Sequence, residues 1–520
     1  MRRRKAGVLV PLFSLRGSTS WGIGEFPDLV PFAAWLESAG QGFVQILPIH
    51  ELPPGERSPY SALTAMALDP VYVALPRVED FEALGGEAAL DDAGRAELDE
   101  LRRLPALDYG RIRPLKDRCL RMAFDRFMQR EVAAGAPRAR QFRQFCDQEM
   151  AWLDEYARFR ALKAAHEERP WWEWPEPLAH RQPDALGAAY HDLEYEIDYR
   201  KYVQWVAARQ WSAARIAARP VEVFGDLPFM ISGDSPDVWA RQEQFRFDAT
   251  VGVPPDEFSD TGQDWGLPPW RWEAMQTDGF AWMRTRAARS AALFDGFRLD
   301  HLVGLYRTYI RPLDRTHEDF FAPAEEPAQT ALGERLVGLY TDTGAEVVAE
   351  DLGTVPDFVR ESLMRLGVPG FKVVRWERHW DEPGQPYRDP GEYPEISVAT
   401  TGTHDVEPIA AWWQELPDEE RRAVTELPAV ARHMEAGLPA TDALLRALLD
   451  SGSRLTILPV QDVFGWPDRI NTPATVGEAN WGFRLPWPVD SMAGRPEVQE
   501  RARLLREWTE AAGRLPRRGT

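Results

Sequence analysis

The sequence predicts an α/β fold, a (β/α)8 barrel with large, mainly helical insertions on the loops at the carboxyl ends of its strands. Three observations carry this. Apolar runs of strand length recur eight times along the 520 residues, and helical stretches separate most of them. The first three elements read strand, helix, strand, a unit that implies parallel pairing. Several of the runs end in charged side chains, and in such barrels the carboxyl ends of the strands are where function sits. Residues 1–520 are read as a single barrel.

Taken in order, residues 8–13 form the first strand. The preceding Met1-Arg2-Arg3-Arg4-Lys5 imitates a secretion signal, but Arg16 closes the apolar run early and no Ala-x-Ala site follows. Leu29, Phe32, Ala33 and Leu36 fall at helical spacing, and residues 43–49 are the second strand. Residues 51–187 interrupt the alternation as a mainly helical insertion after strand two, with helices at 101–104, 117–134 and 137–163. Its acidic stretch 91–100 reads as a solvated helix face, and its Trp cluster at 170–175 as packing in preference to a sugar platform. A helix over 197–218 and a strand over 221–229 resume the pattern, followed by a loop insertion at 231–280, rich in Gly and Pro, of the kind that forms lids. The fourth strand ends in Phe297-Arg298-Leu299-Asp300-His301. A helix over 323–343, the strand 346–349, a helix over 356–366 and a strand over 371–376 follow. A short insertion at 377–395 precedes the strands 396–401 and 455–460, and a helix over 497–512 closes the chain.

The composition narrows function. A formal charge of −21 argues against nucleic acid or an anionic membrane as partner, because both are polyanions. No apolar run is long enough to span a bilayer. Two cysteines, Cys119 and Cys146, are too few for a disulfide framework and suit a reducing cytoplasm. Twenty-one tryptophans suit the flat apolar faces of sugars, although large cores use Trp too.

Three strands end in an acid, at Asp300, Glu350 and Asp405. In a strand, positions i and i+2 share a face, so Arg298 lies beside Asp300 and favours its ionised form, as a nucleophile requires. Alone, that pair fits a structural ion pair equally well; convergence of three acids on one rim tips the balance toward chemistry. Glu350 follows the apolar Val347-Val348-Ala349, so desolvation raises its pKa and suits it to act as acid and then base. Asp405, beside His404, is placed to hold sugar hydroxyls and distort the ring. An ionised acid and a protonated one flanking a scissile bond is the arrangement of glycoside chemistry. His301 and His404 also raise a metal site, but no helical ligand spacing accompanies them, and neither metal nor cofactor is expected.

The chain resembles the 4-α-glucanotransferases (amylomaltase or disproportionating enzyme, glycoside hydrolase family 77), relatives of the α-amylases. The matching motifs run in order: Ser58-Pro59-Tyr60-Ser61, Gly225-Asp226-Leu227-Pro228 with Asp234-Ser235, Pro254-Pro255-Asp256, Gly262-Gln263-Asp264-Trp265-Gly266, Arg298-Leu299-Asp300-His301, Ala349-Glu350-Asp351-Leu352-Gly353, Thr403-His404-Asp405 and Asn480-Trp481. The resemblance implies retaining cleavage of an α-1,4-glucan donor and transfer to a sugar acceptor without cofactor. It assigns Asp300 as nucleophile, Glu350 as acid/base and Asp405 as transition-state stabiliser. It implies that Arg298, His404 and Asp234 line the cleaved sugar's subsite, that Asp256, Phe258, Gln263 and Trp265 lie on a loop covering the glucan, and that Tyr60 stacks on a sugar, although Tyr60 also fits as packing beneath the insertion. Ser58 and His301 complete the substrate-binding set. The chain departs from the family at Leu302-Val303-Gly304-Leu305, where Phe-Arg-Gly-Phe is usual, at Val406-Glu407-Pro408, and at Ser61, where Gln is frequent. These changes bear on acceptor choice and on the balance of transfer with hydrolysis. Two rival readings share the motifs: an α-1,4-glucan hydrolase and a noncatalytic glucan-binding protein.

Overall fold

A computed structural model describes residues 3–255, 261–314, 316–473, 475, 477 and 479–516. Eight strands, all paired in parallel, close on themselves: β1 (Lys5–Leu9), β2 (Phe43–Gln45), β3 (Glu222–Leu227), β4 (Gly296–Leu299), β5 (Glu346–Ala349), β6 (Gly370–Val373), β7 (Ser397–Thr400) and β8 (Leu455–Pro459). The seam is the barrel's longest ladder: Lys5 to Leu9 pair in register with Leu455 to Pro459. Both faces of these strands are covered, which is why they read as continuous apolar runs. Inside, Phe43 stacks on Phe224 with ring centroids 4.4 Å apart. Gly7 makes room for that pair, since a Cβ there would sit 2.5 Å from the Phe43 carbonyl oxygen.

The strands are shorter than the apolar runs suggest, and for identifiable reasons. β1 starts at Lys5 and stops before Pro11, which lacks the N–H to continue a ladder; Leu12–Ser14 is a 3-10 turn. β2 ends at Gln45, three residues into a run of seven. Between β2 and β3 lie the helices Asp92–Arg103, Tyr109–Phe127, Pro137–Ala165, Pro183–Asp192 and Glu194–Ala218. The first is amphipathic: Asp91 caps it by accepting the Gly94 N–H, its acids face solvent, and Leu98 and Leu101 are buried. Of the Trp cluster, Trp171 and Trp174 are buried, the latter packed on Phe159 and Trp239, while Trp172 is exposed.

One connection keeps to the sequence reading and one differs. No α-helix lies between β6 and β7 among the described residues; Pro383, Pro386, Pro390 and Pro394 break the second half of that segment, and only a 3-10 turn at Pro390–Glu392 forms. The Gly- and Pro-rich segment after β3 is not all loop. It contributes Ala249–Val253 and Gln263–Asp264 to a four-stranded antiparallel sheet, completed by Thr308–Pro312 and Phe320–Ala322 from the connection after β4. This small sheet stands over the carboxyl ends of β4 and β5.

Candidate active site

The carboxyl ends of β3, β4, β5 and β7 deliver their polar residues to one centre. Its hub is Arg298, the third residue of β4 and almost fully buried. Its Nη1 donates to both carboxylate oxygens of Asp226, at 2.8 and 3.0 Å, and lies 2.9 Å from Asp300 Oδ1. Its Nη2 is 4.0 Å from Glu350 Oε2. Burial alone lowers an arginine's pKa, but the charges of Asp226, Asp300 and Glu350 outweigh it and hold Arg298 firmly protonated.

Glu350 follows β5 directly. Its Oε2 accepts the His301 N–H at 2.8 Å and its Oε1 the Leu352 N–H at 2.9 Å. His301 takes a left-handed backbone, φ 42°, which aims that N–H at the carboxylate. Burial pushes the Glu350 carboxyl up to about 7; Arg298 and the two N–H groups oppose the rise, and the Asp300 charge adds to it. The expectation from the apolar residues before it therefore holds, with Arg298 as the nearby cation that local sequence could not supply.

On the opposite side, His404 is buried, and its Nε2 lies 3.0 Å from Asp405 Oδ2. Asn471 Nδ2 donates to Asp405 Oδ1 at 2.7 Å. Burial would raise the Asp405 carboxyl, but His404 and Asn471 overcome it and hold it well below the usual carboxylate range. Tyr60 reaches in from the loop after β2. Its hydroxyl donates to Asp226 Oδ2 at 2.7 Å, and its ring stacks on His404 at 4.8 Å and 17°. Trp481 packs near both rings, 5.9 Å from Tyr60 and 5.8 Å from His404.

The remaining residues singled out from sequence distribute as follows. His301 packs between Phe229 and Trp265, 5.4 and 4.8 Å away, and burial lowers its pKa to about 4, so it stands as a neutral imidazole. Trp265 Nε1 donates to Gln263 Oε1 at 3.2 Å, so this pair belongs to the small sheet at the mouth. Ser58 braces its loop: its N–H donates to Glu56 at 2.8 Å and its Oγ accepts the Tyr60 N–H. Asp256 and Phe258 lie outside the described residues. Asp234 is spoken for elsewhere, its carboxylate 2.6 Å from Lys163 Nζ and accepting the Trp171 N–H at 3.2 Å. Besides Asp300, the aspartate that meets Arg298 is Asp226, eight residues before Asp234. It carried the same signal as the others, an acid at the end of an apolar strand, but the sequence reading placed it and Trp481 in motifs without a role and passed over Asn471. Among the described residues no cluster of His, Cys, Asp and Glu is arranged to hold a metal ion.

Fold and centre together define a (β/α)8 barrel enzyme with carboxylates gathered around one arginine at its mouth, the arrangement that glycoside chemistry uses. The profile of one family, described as 4-alpha-glucanotransferase (glycoside hydrolase 77), matches residues 10–490, and the chain belongs to that family. It is similar to the 4-alpha-glucanotransferase of Chlamydia caviae, 31% identical over 511 residues that span 95% of this chain and 92% of the relative. Against the 4-alpha-glucanotransferase of Thermus thermophilus identity is 31% over 527 residues, 98% of this chain and 99% of that one. The solved amylomaltase from Streptococcus agalactiae, in complex with acarbose, superposes with a TM-score of 0.81 at 28% identity, covering 99% of this chain and all of that one.

Proposed function

We propose that this protein transfers α-1,4-glucan segments from a donor malto-oligosaccharide to the 4-OH of an acceptor glucose or glucan, through a covalent glycosyl ester on Asp300. Asp300 attacks C1 as the C1–O4 bond breaks, and Glu350 gives its proton to the departing O4. In the second half the acceptor 4-OH attacks C1, the ester bond breaks, and Glu350 recovers the proton. Asp405, kept ionised by His404 and Asn471, accepts hydroxyls of the distorted sugar. Tyr60 stacks on a sugar, and Arg298, His404, Gln263, Trp265 and His301 line the rest of the site.

The observation that carries this reading is the pairing of environments around Arg298. The guanidinium contacts Asp300 at 2.9 Å, while Glu350, 4.0 Å from the same group, is buried and pushed up to about 7. An attacking carboxylate beside a cation, and a buried acid that keeps its proton, are what a retaining mechanism needs. The two cysteines, Cys119 and Cys146, are unpaired, which supports a cytoplasmic location.

Incubation with maltotriose alone tests the proposal. Transfer yields glucose together with a ladder of longer malto-oligosaccharides, and Asp300→Asn abolishes the ladder by at least about 10³-fold. Products no longer than maltotriose would instead make the protein a hydrolase, and an active Asp300→Asn variant would remove Asp300 as nucleophile.

A further inference from the structure

Beside Glu350 there is a cavity of about 170 Å³ lined by Trp265, His301, Arg307, Tyr309, Phe321 and Leu352, among others. It adjoins the acid on two sides, because His301 and Leu352 are the residues whose N–H groups hold its two oxygens. The small antiparallel sheet forms its outer wall. Strand alternation sends Tyr309 and Phe321 into the cavity, while their neighbours Ile310 and Phe320 face the sheet's other side.

Arg307 is the unusual member of this lining. Its guanidinium lies over the Phe321 ring, 4.1 Å from the centroid, and its Nε is buried without a hydrogen-bond partner. No carboxylate pairs with it among the described residues; the only influence on its pKa is burial, which lowers it. Arg311, four residues further on, shows the contrast: it pairs with Asp319 at 3.1 Å, and Tyr309 donates to the same carboxylate. A partly buried guanidinium with unspent donors is costly unless something supplies lone pairs.

The proposed reaction says what arrives there. Glu350 gives its proton to the leaving oxygen and later takes one from the acceptor, so the sugar beyond the C1–O4 bond lies on the Glu350 side. We infer that Arg307 is a specificity-determining residue of the acceptor subsite, its N–H groups binding hydroxyl oxygens of an uncharged glucosyl unit while Phe321 and Trp265 pack against the apolar faces of that unit. Guanidinium is all donor and the hydroxyl oxygens are acceptors, so the match needs no counter-charge. This rests on the transferase reading and adds to it where the acceptor binds.

The experiment uses α-maltosyl fluoride as donor and glucose as varied acceptor. Asp300 bonds to C1 as fluoride leaves, and Glu350 gives up its proton to the fluoride or to water, with no sugar in the acceptor cavity; the glucose 4-OH then attacks C1, the ester bond to Asp300 breaks, and the hydroxyl proton passes to the ionised Glu350. In Arg307→Met, which covers Phe321 but deletes the donors, the glucose concentration giving half-maximal transfer rises at least tenfold and the fluoride burst stays within twofold of the wild type. Arg307→Lys, which keeps a charge without the planar fork, moves in the same direction by less and serves if the Met variant does not fold. An unchanged glucose dependence overturns the inference, as does a fluoride burst that falls in parallel with transfer. If the wild-type protein releases fluoride yet makes no longer sugar at any glucose concentration, the transferase reading itself fails, a result visible before any variant is made.

Discussion

Glu350 has a carboxyl whose proton is held by its surroundings. Burial is the main cause of its rise to about 7, and the neighbouring Asp300 charge reinforces it. In the proposed mechanism donor cleavage needs Glu350 protonated, so kcat/KM is expected to fall as pH rises through about 7, approaching tenfold per unit, and a pH–rate profile with maltotriose checks it. The same shift is a statement about folding. The folded-state pKa lies above the ordinary 4.5, so the stabilisation is complete below the unfolded value and is lost as pH rises through about 7. Glu350→Gln is neutral throughout. Its stability relative to the wild type should be greater near pH 8.5 than near pH 4 by on the order of 1–3 kcal/mol, while activity falls about 10²–10⁴-fold. Denaturation at the two pH values decides; the same stability difference at both means the native carboxyl is not held protonated.

The loop that carries His404 and Asp405 is fixed by charges from three strand ends. Arg375, just past β6, donates to the Thr401 carbonyl at 3.1 Å, to Glu407 Oε1 at 2.6 Å and to the Glu407 carbonyl at 2.9 Å. Glu407 Oε2 is 3.5 Å from Arg469, in the connection after β8, and Arg469 in turn donates to the Asp405 carbonyl at 2.9 Å. Asp462 grips the loop from the other side through Thr401 and the Ile409 N–H. In the proposed mechanism Asp405 stabilises charge that develops in the transition state, so a loosened loop should cost kcat more than KM. Glu407→Ala is expected to lower kcat about 10–100-fold with donor KM within twofold, read by steady-state kinetics on a folded variant; a KM change alone would mean that the clamp shapes donor binding. The acids themselves were legible in the sequence because each ends an apolar strand. The clamp was not, because Glu407 meets partners 32 and 62 residues away, and nothing local marks them. The small sheet was hidden for a different reason: its strands are two to five residues long and sit among Gly and Pro, so the alternation of Ala249, Val251 and Val253 reads as loop.

At the scale of the whole molecule, repeated apolar runs told of a barrel, since closing eight parallel strands leaves no exposed edge. How the first strand finds the last was not legible, because the residue that joins them lies in a tail rich in Arg and Pro. Arg514 is 1% exposed. Its guanidinium donates to the carbonyls of Leu449, Ser451, Ser453 and Arg454, at 2.5, 3.2, 2.6 and 2.9 Å, and to that of Lys5 at 3.2 Å. Lys5 opens β1 and Arg454 immediately precedes β8, so one side chain fastens the seam at the amino end of the barrel, with the helix Pro496–Ala511 leading to it. Removing it leaves several buried carbonyls short of a donor, each of which costs free energy. Arg514→Ala should therefore lower stability by about 2–4 kcal/mol in urea titration, and Arg514→Lys should recover little, because one ammonium cannot span the fork's five acceptors. The active centre lies at the opposite end of the strands. Turnover per folded molecule should thus match the wild type below the unfolding transition, whereas lost turnover with unchanged stability would show that the barrel floor sets the geometry of its mouth.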